Sequence, residues 1–308
     1  MRGGANFWQL LSRQMRRALD FRLVLFWLVA SLIPTLLVAL PLAGILRDVL
    51  DFSAYSDALA QRLNLDALSA LGAAYQRSEL AIQTNVTLAW VCTLLCAPML
   101  TALAAALFMA SDKSPWSRLW LTGLSDYGRW FWLHLSAFLV YLLGFGTAAI
   151  VAASAEIWVE EYVNANSFAK VQIVSWLAAV LIALITHFFV EIARAEYILD
   201  TRLRFPPRAF LRALSRRQLL RRFSGYLIVC SAGTSLLLLL FVLRQRLGGA
   251  SLAAMGLTLI LAQCSVAAIA WMRTARLFVL AELAESTPFK QVPSDKNSPA
   301  RSFIGARE

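Results

Sequence analysis

The sequence predicts an all-α polytopic membrane protein with six transmembrane helices, amphipathic helices at the membrane interface and both termini in the cytoplasm. Three observations carry this prediction: 59% of the residues are hydrophobic, six long apolar segments recur along the chain, and arginine is concentrated in alternate connections. Each segment has the roughly 20 residues that a helix needs to cross a bilayer core of ~30 Å. The segments are 23–46, 86–110, 131–154, 171–192, 225–243 and 251–272.

The distribution of basic residues predicts how the chain is threaded. Of the 29 Lys and Arg residues, 23 lie in the N-terminal stretch, the second and fourth connections and the C-terminal tail. Because cytoplasmic loops carry the excess of Lys and Arg, both termini are predicted to be cytoplasmic. This topology explains the formal net charge of +11. No nucleic-acid-binding module accompanies the charge, so anionic inner-leaflet lipids are the expected partners.

The composition also indicates a compartment. Arg greatly outnumbers Lys, which is typical of a GC-rich bacterial genome and favours a bacterial inner membrane. The first apolar run is longer than the ~7–15-residue core of a signal peptide, so no cleaved signal is expected. All four cysteines lie inside predicted spans, which argues against a disulfide framework. Cys92 and Cys96 could begin a soft-metal site, but small buried apolar residues are the favoured interpretation, and no metal or cofactor is predicted.

The predicted domain organisation has three parts. Residues 1–22 form an N-terminal cytoplasmic segment, with an amphipathic helix over 6–20 that combines an apolar stripe and a basic face. Residues 23–285 form the six-helix bundle, whose periplasmic loop 47–85 has the spacing of one or two short amphipathic helices. Residues 286–308 lack an apolar pattern and are predicted to be a disordered cytoplasmic tail.

The basic cytoplasmic loop 194–224 is the most distinctive connection. Pro206 and Pro207 mark a helix start, and apolar residues between arginines predict one basic amphipathic helix over 208–223. This helix either anchors the topology or docks an anionic lipid or an acidic partner. The candidate binding residues are Arg208, Arg212, Arg216, Arg217, Arg221 and Arg222.

A possible internal repeat suggests three helical hairpins of common design. The stretch 115–131 begins with Pro and ends with Phe, as does the equally long stretch 207–223, and Leu119 is in register with Leu211. Internal repeats are frequent in transporters. Chance similarity between amphipathic helix ends explains the pattern equally well.

Ionisable residues inside the predicted spans are the candidates for a functional site. His134 lies early in the third span, and His187 lies late in the fourth. Glu191 shares a helix face with His187, and Arg194 follows one turn later. This cluster could relay protons, bind a lipid headgroup or hold a metal ion. The favoured alternative is a structural network in which Arg194 or Arg276 neutralises Glu191.

The end of the fourth span also carries a resemblance. It reads Ala193-Arg194-Ala195, then Leu199-Asp200, and an arginine-rich stretch over 204–222 follows. This arrangement resembles a broad group of uncharacterised bacterial six-span membrane proteins. It is similar in style to the membrane domain found beside glycerophosphodiester phosphodiesterases. The resemblance implies a helical bundle but no catalytic residue, because the phosphodiesterase catalytic domain has no counterpart in this sequence.

The sequence supports three functional hypotheses. No Walker motif, nucleophile elbow, zinc-binding His-Glu-x-x-His helix or dinucleotide fingerprint occurs in it, so the protein is not predicted to be an enzyme. The first hypothesis is a membrane scaffold or accessory subunit that binds lipids and a protein partner or a second copy of itself. The alternatives are a permease-like transporter of a small or amphiphilic substrate, using His187 and Glu191, and an intramembrane lipid-modifying enzyme.

Overall fold

The protein is a bundle of α-helices. Six of its helices are long and apolar enough to cross a membrane, which confirms the predicted fold class of an all-α, multi-pass membrane protein. The computed structural model describes residues 6–50, 65–110, 115–162, 165–200, 205–215, 219–247 and 252–285. In chain order the helices are α1 (Phe7–Arg17), α2 (Phe21–Leu50), α3 (Leu65–Arg77), α4 (Glu79–Met109), α5 (Trp116–Ser125), α6 (Tyr127–Tyr162), α7 (Ala165–Leu199), α8 (Pro206–Ser215), α9 (Leu219–Arg246) and α10 (Leu252–Glu285).

The spanning helices α2, α4, α6, α7, α9 and α10 extend beyond the apolar segments that predict them. α4 begins at Glu79, inside the predicted periplasmic loop 47–85, and α10 continues to Glu285. Hydropathy reports only the part of a helix that lies in the bilayer core, whereas the backbone hydrogen bonds of a helix continue into the interface. The extension of α10 places Arg273 and Arg276 inside a spanning helix instead of in the tail.

Two of the predicted amphipathic helices are present. α1 lies within the predicted helix over 6–20, and α3 lies within the loop 47–85. In both, the sequence has polar and apolar residues at helical spacing, which is the pattern of a helix with one apolar face. The remainder of that loop over 51–64 and the predicted tail 286–308 lie outside the described residues.

The single amphipathic helix predicted over 208–223 is wrong. α8 ends at Ser215, and the spanning helix α9 begins at Leu219. Apolar residues continue at helical spacing across both helices, so periodicity alone did not reveal the break between them. Arg221 and Arg222 therefore belong to α9 and enter the bundle, whereas Arg208 and Arg212 remain on α8.

The spanning helices pair as three hairpins. α2 packs with α4, α6 with α7, and α9 with α10. A short helix precedes each hairpin and packs against the second helix of another hairpin: α5 on α4, α8 on α7, and α1 on α10. The short helices therefore link the three hairpins in a closed ring. We call the end of the bundle that carries these short helices the basic end.

Each short helix buries one face in this ring. Phe210 of α8 packs its ring 5.5 Å from that of Phe189 on α7. Gln14 of α1 donates a hydrogen bond to Glu282 of α10 at 3.2 Å, and the indole of Trp271 donates to the carbonyl of Met15 at 3.0 Å. Polar bonds thus fix the register of α1, which apolar packing alone would leave free to slide.

Arginine side chains cap the ends of two spanning helices. Arg17 of α1 donates to the carbonyls of Leu107 and Ala110 at the end of α4, at 3.0 and 2.8 Å. Arg129 of α6 donates to the carbonyls of Tyr197 and Asp200 at the end of α7. The last carbonyls of a helix have no partner within the helix and carry partial negative charge. A guanidinium group satisfies two of them at once and ties neighbouring elements together.

The structure has the three hairpins that the internal repeat suggests, but the register of the repeat holds only in part. Tyr127 and Leu219, the first residues of α6 and α9, are in register. Within the short helices the register is lost, because Leu119 is buried whereas its match Leu211 is 66% exposed and Phe210 is buried instead.

The packed core lies at the basic end. α4 is buried on all sides over Ala102–Phe108, and Leu133, Val190 and Phe278 are fully buried around it. Towards the opposite end, large apolar residues such as Leu143 are exposed along the spanning helices. Because lipid tails solvate apolar side chains as well as a protein core does, helices in a membrane need polar bonds or close packing to stay together. The helices pack closely at the basic end, where such polar bonds occur.

An ion pair inside this core joins α7 to α9. Arg222 Nη1 lies 2.8 Å from Glu196 Oε1, and the two side chains are 1% and 2% exposed. This burial leaves Arg222 no exposed surface for an anionic lipid, contrary to its grouping with the surface arginines. A buried charge without its partner is costly, whereas a well-packed apolar pair of similar volume is tolerated.

We expect Arg222→Met to lower the free energy of unfolding by ~3–5 kcal/mol, because it removes the guanidinium group that lies 2.8 Å from the buried carboxylate of Glu196. The double variant Arg222→Met/Glu196→Leu should recover most of this loss. Thermal unfolding of the purified proteins in mild detergent measures both. A double variant as unstable as the single one would show that the pair does not act as a unit.

Candidate functional site

A cavity of about 450 Å³ lies between five of the six spanning helices. Its volume falls within the roughly 300–1,000 Å³ of typical ligand pockets. Side chains from α2, α4, α6, α7 and α10 form its wall. The cavity borders the packed core, at the level where the bundle begins to open towards the opposite end.

Helical spacing brings the polar residues of the cavity together. His187, Glu191 and Arg194 follow one another at four and three residues along α7, so they share a face. Arg273 and Arg276 share a face of α10 in the same way. His134 of α6 is also part of the wall. The four residues that the sequence singles out, His134, His187, Glu191 and Arg194, therefore line one cavity.

Glu191 is the acidic residue at the centre of this group. Its side chain is 4% exposed, and Oε1 accepts a bond from Arg194 Nη1 at 2.7 Å. His187 Nε2 lies 3.9 Å from the same oxygen, which is beyond hydrogen-bond distance. The other ring nitrogen of His187 lies 2.9 Å from the hydroxyl of Tyr226 on α9. Glu191 is thus paired with Arg194, as the structural alternative expected.

Positive charge exceeds negative charge in the cavity. Arg194, Arg273 and Arg276 contribute three guanidinium groups, and within the described residues Glu191 is the only carboxylate in the wall. Arg273 is exposed and its guanidinium lies 5.1 Å from the centre of the Trp27 ring. Arg276 Nη1 lies 3.6 Å from the sulfur of Cys230, a weak acceptor. With neutral histidines, the group carries two uncompensated positive charges.

Two buried donor atoms in this group have no hydrogen-bond partner. They are the Nε atoms of Arg194 and Arg276. Buried donors are almost always satisfied in folded proteins, and an unsatisfied one costs ~1–3 kcal/mol. Unpartnered donors also occur on Arg222 in the core, so the feature that distinguishes the cavity is its excess of positive charge, which is what a site for an anion requires.

His134 is held in place by bonds to both ring nitrogens. Nδ1 lies 2.9 Å from the carbonyl of Trp130, and Nε2 lies 3.2 Å from the hydroxyl of Thr101. The Thr101 hydroxyl donates its proton to the carbonyl of Ala97 at 2.8 Å. His134 therefore links α6 to α4 at the wall of the cavity through its contact with Thr101.

The described arginines among those predicted to bind lipid or a partner differ in exposure and in contacts. Arg208 is exposed on α8, and Arg212 pairs with Asp200 at 2.6 Å. Arg221 lies 5.8 Å from the centre of the Phe7 ring of α1. Arg222 is buried as described above, and residues 216–217 lie outside the described part of the chain.

Sequence interpretation missed Arg273 and the role of Tyr226. The sixth apolar segment stops before Arg273, so hydropathy assigned this residue to the tail and Arg276 with it. Two signals were available. Arg273 and Arg276 are three residues apart directly after an apolar run, and no Gly or Pro follows them before Glu285. Tyr226 has no such signal, because a tyrosine near a helix end is typical of the membrane interface.

Comparisons with protein-family models, with curated proteins and with solved structures found no match to this chain. Among the described residues, no three His, Cys, Asp or Glu side chains come together as they would to hold a metal ion. Cys92, Cys96, Cys230 and Cys264 are free thiols.

We expect Glu191→Gln to destabilise the protein by ~3–5 kcal/mol, because removing the carboxylate leaves three neighbouring guanidinium groups without any counter-charge. Glu79→Gln is the matched control, since Glu79 is exposed at the start of α4 and its loss should change stability by less than ~0.5 kcal/mol. Thermal unfolding in detergent at low salt gives both values. Equal effects at the two positions would contradict the electrostatic role of Glu191.

Proposed function

We propose that this protein is a permease-like carrier of the bacterial inner membrane that binds an anionic solute in the cavity between its helices. The observation that carries the proposal is the excess of guanidinium groups around Glu191, inside helices apolar enough to span a membrane. A scaffold or accessory subunit, the first expectation from the sequence, has no need of excess positive charge around a cavity. An anion bound there would offset this charge.

The energetics favour a bound anion. Arg194, Arg273 and Arg276 directly follow the apolar segments 171–192 and 251–272, and ionisable residues within spanning helices mark substrate pathways. One of the three arginines is neutralised by Glu191. A carboxylate or phosphate group would pair with the other two, and Arg forms strong charge-assisted bonds with such groups.

Two helices of the cavity wall contain proline. Pro34 and Pro41 lie inside α2, and Pro98 lies inside α4 between the cavity residues Ala97 and Thr101. Proline removes one backbone hydrogen bond and allows a helix to bend at that point. Such points supply the hinges that a carrier needs to expose its site alternately to the two sides.

We further propose that the basic end faces the cytoplasm, with both termini on that side. The short basic helices α1 and α8 would then lie at the anionic inner leaflet, where each Lys or Arg gains about 1 kcal/mol. The excess of Lys and Arg on this side of the sequence supports the same orientation.

Phosphate ion is a probe for the site that needs no knowledge of the natural substrate. We expect phosphate to raise the melting temperature of the wild-type protein, because a ligand that binds only the folded state stabilises it. Arg273→Gln and Arg276→Gln should abolish this shift, since each removes a guanidinium group from the cavity. Arg244→Gln, an exposed arginine at the opposite end, should retain it.

Sulfate should act as phosphate does, because it is also a tetrahedral oxyanion, and chloride separates this binding from general salt effects. Chloride at the same ionic strength should stabilise all four proteins equally. If the two cavity variants keep the full phosphate shift, the cavity is not an anion site and the proposal fails.

Carrier function also predicts that the cavity opens to both sides in turn. In a cysteine-free chain, Ala97→Cys should react with a membrane-impermeant maleimide added to either face of the membrane. Arg208→Cys should react only from the cytoplasmic side, and Gln245→Cys only from the other, because both are exposed at opposite ends of the bundle. Labelling of Ala97→Cys from one side alone would indicate a static binding protein instead of a carrier.

A further inference from the structure

The cavity has an aromatic side as well as a charged one. Its guanidinium groups come from α7 and α10, whereas α6 supplies aromatic rings. Phe138, Tyr141 and Phe145 follow His134 at four, seven and eleven residues along α6, so all four side chains lie on one face of this helix. The rings of Tyr141 and Phe145 are stacked, with their centroids 5.3 Å apart. We call Phe138, Tyr141 and Phe145 the aromatic face of the cavity.

Contacts across the cavity place the aromatic face beside the charged group. The ring of Tyr141 lies 6.0 Å from the ring of His187 on α7. His187 Nε2 in turn lies 3.9 Å from Glu191 Oε1, the oxygen that pairs with Arg194. Phe138 lies between His134 and Tyr141 along the same face of α6. Charged and apolar groups are therefore adjacent within one cavity.

The part of the wall that α4 contributes is also largely apolar. Over Leu94–Ala104 it consists of Leu and Ala side chains together with Thr101. The hydroxyl of Thr101 donates to the carbonyl of Ala97, and the hydroxyl of Thr93 donates to the carbonyl of Ala89, both at 2.8 Å. Neither hydroxyl therefore has a proton left for a bound anion.

We infer that the anion bound in the cavity is organic, with one anionic group at the arginines and an apolar body that packs against the aromatic face. The inference rests on the proposed function and deepens it, because it names the substrate class of the same site. A small inorganic oxyanion is hydrated on all sides, and burying its oxygens without hydrogen bonds is costly. An organic anion instead presents apolar surface where the wall is apolar, which is the usual division of a ligand pocket.

Arg273 is placed to hold the anionic group at the edge of the apolar part. Its guanidinium lies 5.1 Å from the centre of the Trp27 ring, and it makes no hydrogen bond or ion pair among the described residues. A guanidinium stacked on an aromatic face is held by the cation–π contact, whereas its N–H groups point outward in its own plane. Those N–H groups stay available to the oxygens of an anion.

The test compares phenyl phosphate with inorganic phosphate, which differ by one apolar ring. The melting temperature of the full-length protein in mild detergent is measured against the concentration of each compound. We expect phenyl phosphate to reach half of its maximal shift at a concentration about tenfold lower or less, because burial of the ring adds to binding. Benzamide, which has a similar ring but no charge, should give no shift.

Variants locate the ring within the cavity. Phe138→Ala should lower the ratio of the affinities for phenyl phosphate and inorganic phosphate by roughly 2–10-fold, the range expected for one aromatic pair. Phe241→Ala is the matched control and should keep the wild-type ratio. Phe241 is 57% exposed, against 52% for Phe138, but it lies on α9 and outside the cavity wall. Arg276→Gln should abolish both shifts.

The outcomes separate the inference from the proposed function. If the two phosphate compounds act at the same concentration, the site binds a small anion and only the inference fails. Equal ratios in Phe138→Ala and Phe241→Ala also overturn it, since the ring then lies elsewhere. A benzamide shift as large as that of phenyl phosphate overturns it as well, because the charge then adds nothing. If neither phosphate compound shifts the melting temperature, the proposed function fails and the inference fails with it.

Discussion

The rest of the structure depends on hydrogen bonds and ion pairs that arginine side chains make between helices. In a lipid bilayer, apolar contacts between helices are no more favourable than contacts with lipid tails. Lipid tails solvate leucine as well as a protein core does, so polar bonds or close packing must hold the hairpins together. Arg17 and Arg129 bond to the free carbonyls at the ends of α4 and α7, and the Arg222–Glu196 pair joins α7 to α9. All of these bonds lie at the basic end. The closed core lies there too, and the bundle opens where they stop.

The cavity lies between the packed core at the basic end and the part of the bundle where the helices are exposed. Deeper in the core, Arg222 and Glu196 neutralise each other and leave no space for a ligand. At the boundary, Glu191 satisfies Arg194 while Arg273 and Arg276 have no carboxylate partner within the described residues. Arginine is therefore neutralised by a carboxylate in the core, whereas the cavity keeps two guanidinium groups in excess of its carboxylate.

The sequence predicts the spanning helices well because burial in lipid demands ~20 consecutive apolar residues, which few other structures require. It also places His187, Glu191 and Arg194 on one face of α7, because that prediction needs only helical spacing. The break after Ser215 was missed since apolar periodicity continues through it. Arg276 was considered as a partner of Glu191, but Arg273 was not placed beside it, because its position depends on which hairpins become neighbours. That choice is made by bonds such as those of Gln14 and Arg129, which link residues far apart in the chain.

The contact of α1 with α10 sets the order in which the protein can be completed. Gln14 and Glu282 are 268 positions apart, so synthesis at ~5–20 residues per second separates them by roughly 13–54 s. Throughout that time α1 has emerged from the ribosome while its binding partner does not yet exist. Its apolar face, with Leu10 and Leu11, must meanwhile rest on the bilayer surface as amphipathic helices do. The ring of helices closes only when the last hairpin, α9–α10, is inserted. In a chain that ends before α10, the apolar face of α1 therefore has no protein partner, which distinguishes such a chain from the full-length one.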